Sequence, residues 1–282
     1  VLPQVAAQVV LLDPDDIDGV AATFEREDDI AAVILEPTGG GGGMSPLAPG
    51  FVERLREITK QHGVLLIMDE VVTGFRVHKG GAQGLYEVVP DLSSLAKILA
   101  GGLPGGAVAG RAEILDHLDF QAAANREFEK IHHPGTFNAN PLSAAAGTKT
   151  LEIIADTDAV ERAGIFGGTL RSRLNQVFAD AGLGWAAYGQ GASFFIYLNP
   201  NELPIDPLNF DPLAVPYQDI KSKPPGLLNK LRLALLIGGV DISGSGGGVI
   251  SATHDEADLE QTVTAFDRAA AMLISEEDLP RT

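Results

Sequence analysis

The stretch Val64-Leu65-Leu66-Ile67-Met68-Asp69-Glu70 decides how the rest of the chain is read. Five apolar residues run without interruption into two carboxylates. A run of this length is expected to form a strand buried on both faces of a parallel sheet. In open α/β sheets, ligands bind just beyond the carboxyl ends of such strands. Asp69 therefore falls where a strand meets a ligand crevice, and a carboxylate there needs a cationic or proton-donating partner.

Working outward, residues 50–62 place Phe51, Leu55 and Ile58 on one helical face and end at His62-Gly63. Residues 30–35 form an apolar strand closed by Glu36-Pro37. Strand, helix and strand in this order require a crossover and a parallel sheet. Upstream, residues 5–12 are expected to be a first strand, followed by a helix over about 17–26 capped by Asp16. Downstream, Leu92 to Ala96 is a short strand that ends at Lys97, and residues 107–110 form another. Asn140-Pro141 starts a helix that continues through the Ala-rich residues 142–155, and Asp158 is expected to cap a second helix to about Ala181.

The character changes near Gly182. Residues 185–198 are expected to form two strands joined by a Gly turn, and residues 199–226, rich in Pro, Asn and Asp, to be irregular. A helix over 227–237, a strand near 248–252 and a helix over 255–275 complete the tail. The expected class is α/β, with a mostly parallel sheet in a large domain over 1–160 and a smaller α+β C-terminal domain over 161–282.

Bulk properties narrow the function. The 282 residues carry 38 acidic and 20 basic side chains, a formal charge of −18. Such a surface repels phosphate backbones and anionic lipid, so neither nucleic acid nor membrane is the expected partner. The absence of cysteine excludes disulfides and thiolate nucleophiles. No signal peptide is visible, and a cytoplasmic location is expected. The sequence opens at Val1 without an initiator methionine, and residues upstream are expected to be missing.

Two side chains carry the chemistry. Asp69 and Lys97 end successive predicted parallel strands, which puts both at one edge of the sheet. One reading is a partly buried ion pair. The other starts from the apolar neighbours of Lys97 (Leu95, Ala96, Ile98 and Leu99), which would destabilise its ammonium and make it nucleophilic. A lysine able to form a Schiff base, beside an acid able to hold a pyridine nitrogen, fits pyridoxal phosphate. The glycines 39–43 follow a strand but lack the Gly-Lys-Ser/Thr of a phosphate loop, and a plain loop at the rim of the site is the expectation. Glu36 fits either a supporting role in the site or a structural one. Arg76 fits either a substrate carboxylate or a structural role. His132 and His133 are read as loop residues rather than metal ligands.

Three segments resemble class III pyridoxal-phosphate-dependent aminotransferases. They are Leu66-Ile67-Met68-Asp69-Glu70-Val71-Val72-Thr73-Gly74-Phe75-Arg76-Val77, Pro90-Asp91 with Ala96-Lys97 and Gly101 to Ala107, and Gly135-Thr136-Phe137-Asn138-Ala139-Asn140-Pro141. The stretch from Gly74 to Gln83 is closest to the glutamate-1-semialdehyde 2,1-aminomutase branch. The resemblance covers about residues 30–150 and implies a fold-type I transferase. It implies that Lys97 holds the cofactor aldehyde and shuttles the substrate proton, that Asp69 holds the pyridine nitrogen, and that Val71 packs on the ring. It also implies that Thr136 reaches the cofactor phosphate of a neighbouring subunit in a homodimer. Read alone, Thr136 beside Gly135 and ahead of a helix start could serve an anion, but a simple turn threonine is the favoured reading.

The family's glycine-hydroxyl phosphate turn and ring-stacking aromatic precede the region that matches Val1. The aminomutase branch also places an acid where Gly246 falls in this sequence. The leading expectation is an aminotransferase moving an amino group between a small amino donor and a keto or aldehyde acceptor. The alternatives are an aminomutase and an incomplete PLP-fold chain without activity.

Overall fold

The computed structural model describes residues 2–126 and 129–276. Helix α1 (Ile17–Arg26) begins where Asp16 accepts a hydrogen bond from the Gly19 amide at 2.8 Å, and it buries Val20, Thr23 and Phe24. Strand β1 (Ala32–Leu35) follows, then α2 (Phe51–His62), whose Val52, Leu55 and Ile58 are buried. Strand β2 (Leu65–Glu70) lies parallel to β1, with Val33 opposite Leu66 and Leu35 opposite Met68. A short helix, α3 (Gly81–Leu85), precedes β3 (Leu92–Ala96), which is parallel to β2 and places Ser94 opposite Asp69. Strand β4 (Gly106–Gly110) runs antiparallel to β3 and closes a four-stranded sheet of order β1-β2-β3-β4.

The burial of β2 corrects the expectation of two buried faces. Leu66, Met68 and Glu70 are fully buried, whereas Leu65, Ile67 and Asp69 are only partly covered. Side chains alternate along a strand, and here α1 and α2 pack on one face, joining Leu66 and Met68 to Phe24, Leu55 and Ile58 in one cluster.

Helices α4 (Pro141–Asp156) and α5 (Ala159–Asp180) lead to a second sheet. Asn140 caps α4, its side chain accepting from the Leu142 and Ser143 amides. In the second sheet β5 (Ala186–Tyr188) pairs antiparallel with β6 (Ser193–Tyr197). Helix α6 (Pro225–Ile237) follows, and β7 (Gly247–Val249) pairs with the other edge of β6. Helix α7 (Glu256–Ser275) starts at Asp255, which forms a reciprocal capping box with Asp258. Helices α5, α6 and α7 cover one face of this sheet around Phe178, Trp185, Ile196 and Phe266.

Two further expectations are corrected. Residues 5–12 form no strand: one helical turn, Pro3–Ala6, leads into an exposed extended segment in which Leu11 is 89% accessible. An apolar run becomes a strand only when a neighbour takes its hydrogen bonds, and none does here among the described residues. Asp158 stands at the N-cap position of α5, but its side chain accepts no amide of the first turn; its carboxylate accepts Arg162 Nε at 2.8 Å instead.

Candidate active site

At the carboxyl ends of β2 and β3 lie Asp69, the penultimate residue of β2, and Lys97, the residue after β3. Asp69 Oδ1 accepts the Val71 amide and the Ser94 hydroxyl, each at 3.0 Å. Its Oδ2 has no partner among the described residues. Ser94 escaped the sequence reading; its signal is the register of β3 against β2, which a chain of residues does not display. Val71 is half-buried and serves this carboxylate through its backbone.

Lys97 follows the last residue of β3 and opens a single 3-10 turn, Lys97–Ala100. Its φ of 51° lies in the left-handed region, a strained setting for a residue with a Cβ and one that concentrates at functional sites. Helix α4 holds this turn closely. A Cβ on Gly147 would stand 2.3 Å from the Leu99 carbonyl, so glycine alone permits the approach. Lys97 itself is exposed, so its apolar neighbours in sequence, which are only partly covered, do not bury it. Among the described residues the Lys97 ammonium has no ion-pair or hydrogen-bond partner, so no Asp69–Lys97 ion pair forms.

Thr136 is not brought to this pair. It lies in an exposed turn, residues 136–139, ahead of α4, and no hydrogen bond joins it to Asp69 or Lys97. His132 and His133 are exposed in the preceding loop. Among the described residues no group of three His, Cys, Asp or Glu is arranged to hold a metal.

The glycine run is a tight folded turn rather than a plain loop. Glu36 at the end of β1 accepts the amides of Gly41 at 2.9 Å and Gly42 at 2.7 Å, which gives Glu36 a structural role. Arg76 donates through Nε to the Val72 carbonyl at 2.9 Å, and burial lowers its pKa. Gly246 has φ 78°, and an added Cβ would meet Leu228 at 3.3 Å.

Behind the site, Asp91 is buried where β3 begins. Its carboxylate accepts Arg56 Nη1 at 2.7 Å, the Leu66 amide at 2.8 Å and Arg111 Nη1 at 2.8 Å. Burial alone would raise its pKa, but these three donors outweigh that and bring it to about 2. The network ties α2, β2, β3 and the residue after β4 together.

The arrangement can be compared with known proteins. The aminotransferase class-III family model matches residues 16–183. This chain belongs to the class III aminotransferases. Among curated relatives, the class III chain is 37% identical over 258 residues to glutamate-1-semialdehyde 2,1-aminomutase 2 of Brevibacillus brevis, covering 90% of this chain and 56% of the relative. It is 35% identical over 266 residues to glutamate-1-semialdehyde 2,1-aminomutase of Syntrophomonas wolfei, covering 93% and 58%. Among solved structures, an omega-transaminase from Sphaerobacter thermophilus superposes with a TM-score of 0.80 at 32% identity, over 95% of this chain and 58% of that one. A transaminase with PLP bound superposes at 0.81 and 28% identity, over 98% and 60%. The fold is that of the fold-type I transaminases. This class III chain spans less than two thirds of the length of these relatives.

Proposed function

We propose that the protein is a pyridoxal-phosphate-dependent aminotransferase that moves an amino group from a small amino donor to a keto or aldehyde acceptor. Pyridoxal phosphate is the cofactor of the class III family. The observation that carries the reading is the pair at the carboxyl edge of the sheet: Asp69, with Oδ1 occupied and Oδ2 without a partner among the described residues, and Lys97, strained, exposed and unpaired among them. This donor set fits an aldehyde carbon and a protonated ring nitrogen.

When bound, the cofactor supplies an electrophilic aldehyde and an electron-withdrawing ring that acidifies the proton beside the amino group. Asp69 would hold the proton on the ring nitrogen through Oδ2, while the Val71 amide and the Ser94 hydroxyl keep the carboxylate oriented. Lys97 would be the residue that holds the cofactor aldehyde, and its amine would carry the substrate proton. Val71 would be the residue that packs on the ring.

A homodimer belongs to the proposal, with Thr136 reaching the neighbour's phosphate. Its support is the exposure of large apolar residues in the segments that flank Thr136 in sequence, Phe120, Ile131, Phe137 and Leu142. A division into a cofactor-binding portion over 1–160 and a C-terminal portion over 161–282 is also proposed, supported by the two separate sheets. No described helix is long and apolar enough to cross a membrane. A cytoplasmic site of action goes with the reading and is tested by cell fractionation.

The second reading is the aminomutase reaction, favoured by the names of the curated relatives, glutamate-1-semialdehyde 2,1-aminomutases. Against it stands Gly246, where the left-handed backbone leaves an acidic side chain strained. The deciding assay supplies an amino compound with and without a keto acid. Transfer that requires the keto acid supports the aminotransferase. Isomerisation of an amino-aldehyde without one supports the aminomutase, and neither reaction supports the inactive chain. Asp69→Asn is expected to keep the fold and lose most of the transfer; full activity in that variant would overturn the assignment.

A further inference from the structure

Glu70 ends β2 and is completely buried. Its Oε2 accepts the Ala82 amide at 2.6 Å and the Thr73 hydroxyl at 3.1 Å. Its Oε1 accepts the Gln83 amide at 3.2 Å and the Gln83 side-chain nitrogen at 3.3 Å. No Lys, Arg or His pairs with it among the described residues. A buried carboxylate without a cation persists only where neutral donors satisfy it, and removing them leaves a costly charge. The fit is close, since a Cβ on Gly81 would stand 2.4 Å from Oε2.

All of these donors come from the loop that leaves β2 and returns as α3. The loop starts at Val71, whose amide holds Asp69 Oδ1, and the Gly74 amide donates to the Glu70 carbonyl at 2.9 Å. Gln83 also reaches Ser93 Oγ at 3.5 Å, next in sequence to the Ser94 that donates to Asp69. Side chains alternate across a strand. Asp69 with Ser94 therefore occupies one face of the β2–β3 pair, and Glu70 with Gln83 and Ser93 occupies the other.

We infer that Glu70 is a positioning residue for Asp69: its buried carboxylate gathers the β2 exit loop, which keeps the Val71 amide on Asp69 Oδ1 and leaves Oδ2 for the cofactor ring. The last clause rests on the pyridoxal-phosphate reading; the hold on Val71 does not.

The first test needs no cofactor. Glu70→Gln puts an amide NH2 where a donor already points. Hydrogen exchange at the Val71 amide is expected to speed up by about tenfold or more, while the Leu55 amide in α2 exchanges as before. Thr73→Val removes one donor with little change in volume, shifts Val71 in the same direction by less, and carries the test if Glu70→Gln does not fold. Unchanged Val71 exchange in the variants that fold overturns the inference. The second test titrates pyridoxal phosphate by absorbance. Glu70→Gln is expected to weaken binding by about tenfold or more beside Asp69, and by less than about twofold in an Asp69→Asn background. Equal weakening in both backgrounds means Glu70 does not act through Asp69 and overturns the inference. If the unaltered protein binds no pyridoxal phosphate while Val71 exchange responds to Glu70→Gln, the positioning of Asp69 stands and the cofactor reading falls.

Discussion

Asp69 and Ser94 face each other across β2 and β3, and the Ser94 hydroxyl donates to Asp69 Oδ1 at 3.0 Å. Together with the Val71 amide, this bond fixes one carboxylate oxygen and leaves the other to a ligand. Ser94→Ala is expected to weaken cofactor binding by about tenfold, the worth of one hydrogen bond to a charged acceptor. Absorbance titration measures it. An unchanged dissociation constant would mean that Val71 alone orients the carboxylate.

Asp91 makes folding stability depend on acid. Its folded pKa of about 2 lies below the ordinary value near 3.9, so the stabilisation is fully present above about pH 4. Most of it is lost as the pH falls from about 4 to 2, a change of roughly 2 kcal/mol or less. Urea unfolding across that range checks it, with Asp91→Asn as the reference. That variant leaves the buried Arg56 without its partner, so a loss of about 3 kcal/mol is expected at neutral pH.

Gly81 has φ 69° and lies against the Glu70 carboxylate. Gly81→Ala is expected to destabilise the fold by about 2 kcal/mol, from backbone strain and displacement of a buried anion. Thermal unfolding measures it. A neutral result would show that the loop moves freely.

Gly246→Glu tests the rival reaction. The left-handed backbone and nearby Leu228 predict a loss of about 1 kcal/mol or more, with no amino-aldehyde isomerisation gained. Isomerase activity in that variant would favour the aminomutase reading.

Much of the sheet was legible in the sequence because the relevant signals are local. The apolar run before Asp69, the Asn140-Pro141 start of α4 and the Gly turn between β5 and β6 each need only a few neighbouring residues. The residues that support Asp69 were not legible. Ser94 depends on strand register, Glu70 on a loop that folds back, and Asp91 on two arginines distant in sequence. Two apolar contexts misled for one reason: residues 5–12 and the neighbours of Lys97 are hydrophobic in sequence, but burial is decided by what packs against them. Residues 5–12 gain no strand partner, and the left-handed turn at Lys97 leaves it in the open.

The proposed chemistry requires that Lys97 bind the cofactor aldehyde beside Asp69. Borohydride reduction of the protein with pyridoxal phosphate, followed by peptide mass mapping, tests it most directly. The cofactor mass fixed on Lys97, and absent from Lys97→Ala, is the predicted result. The mass on another lysine, or on none, would contradict it.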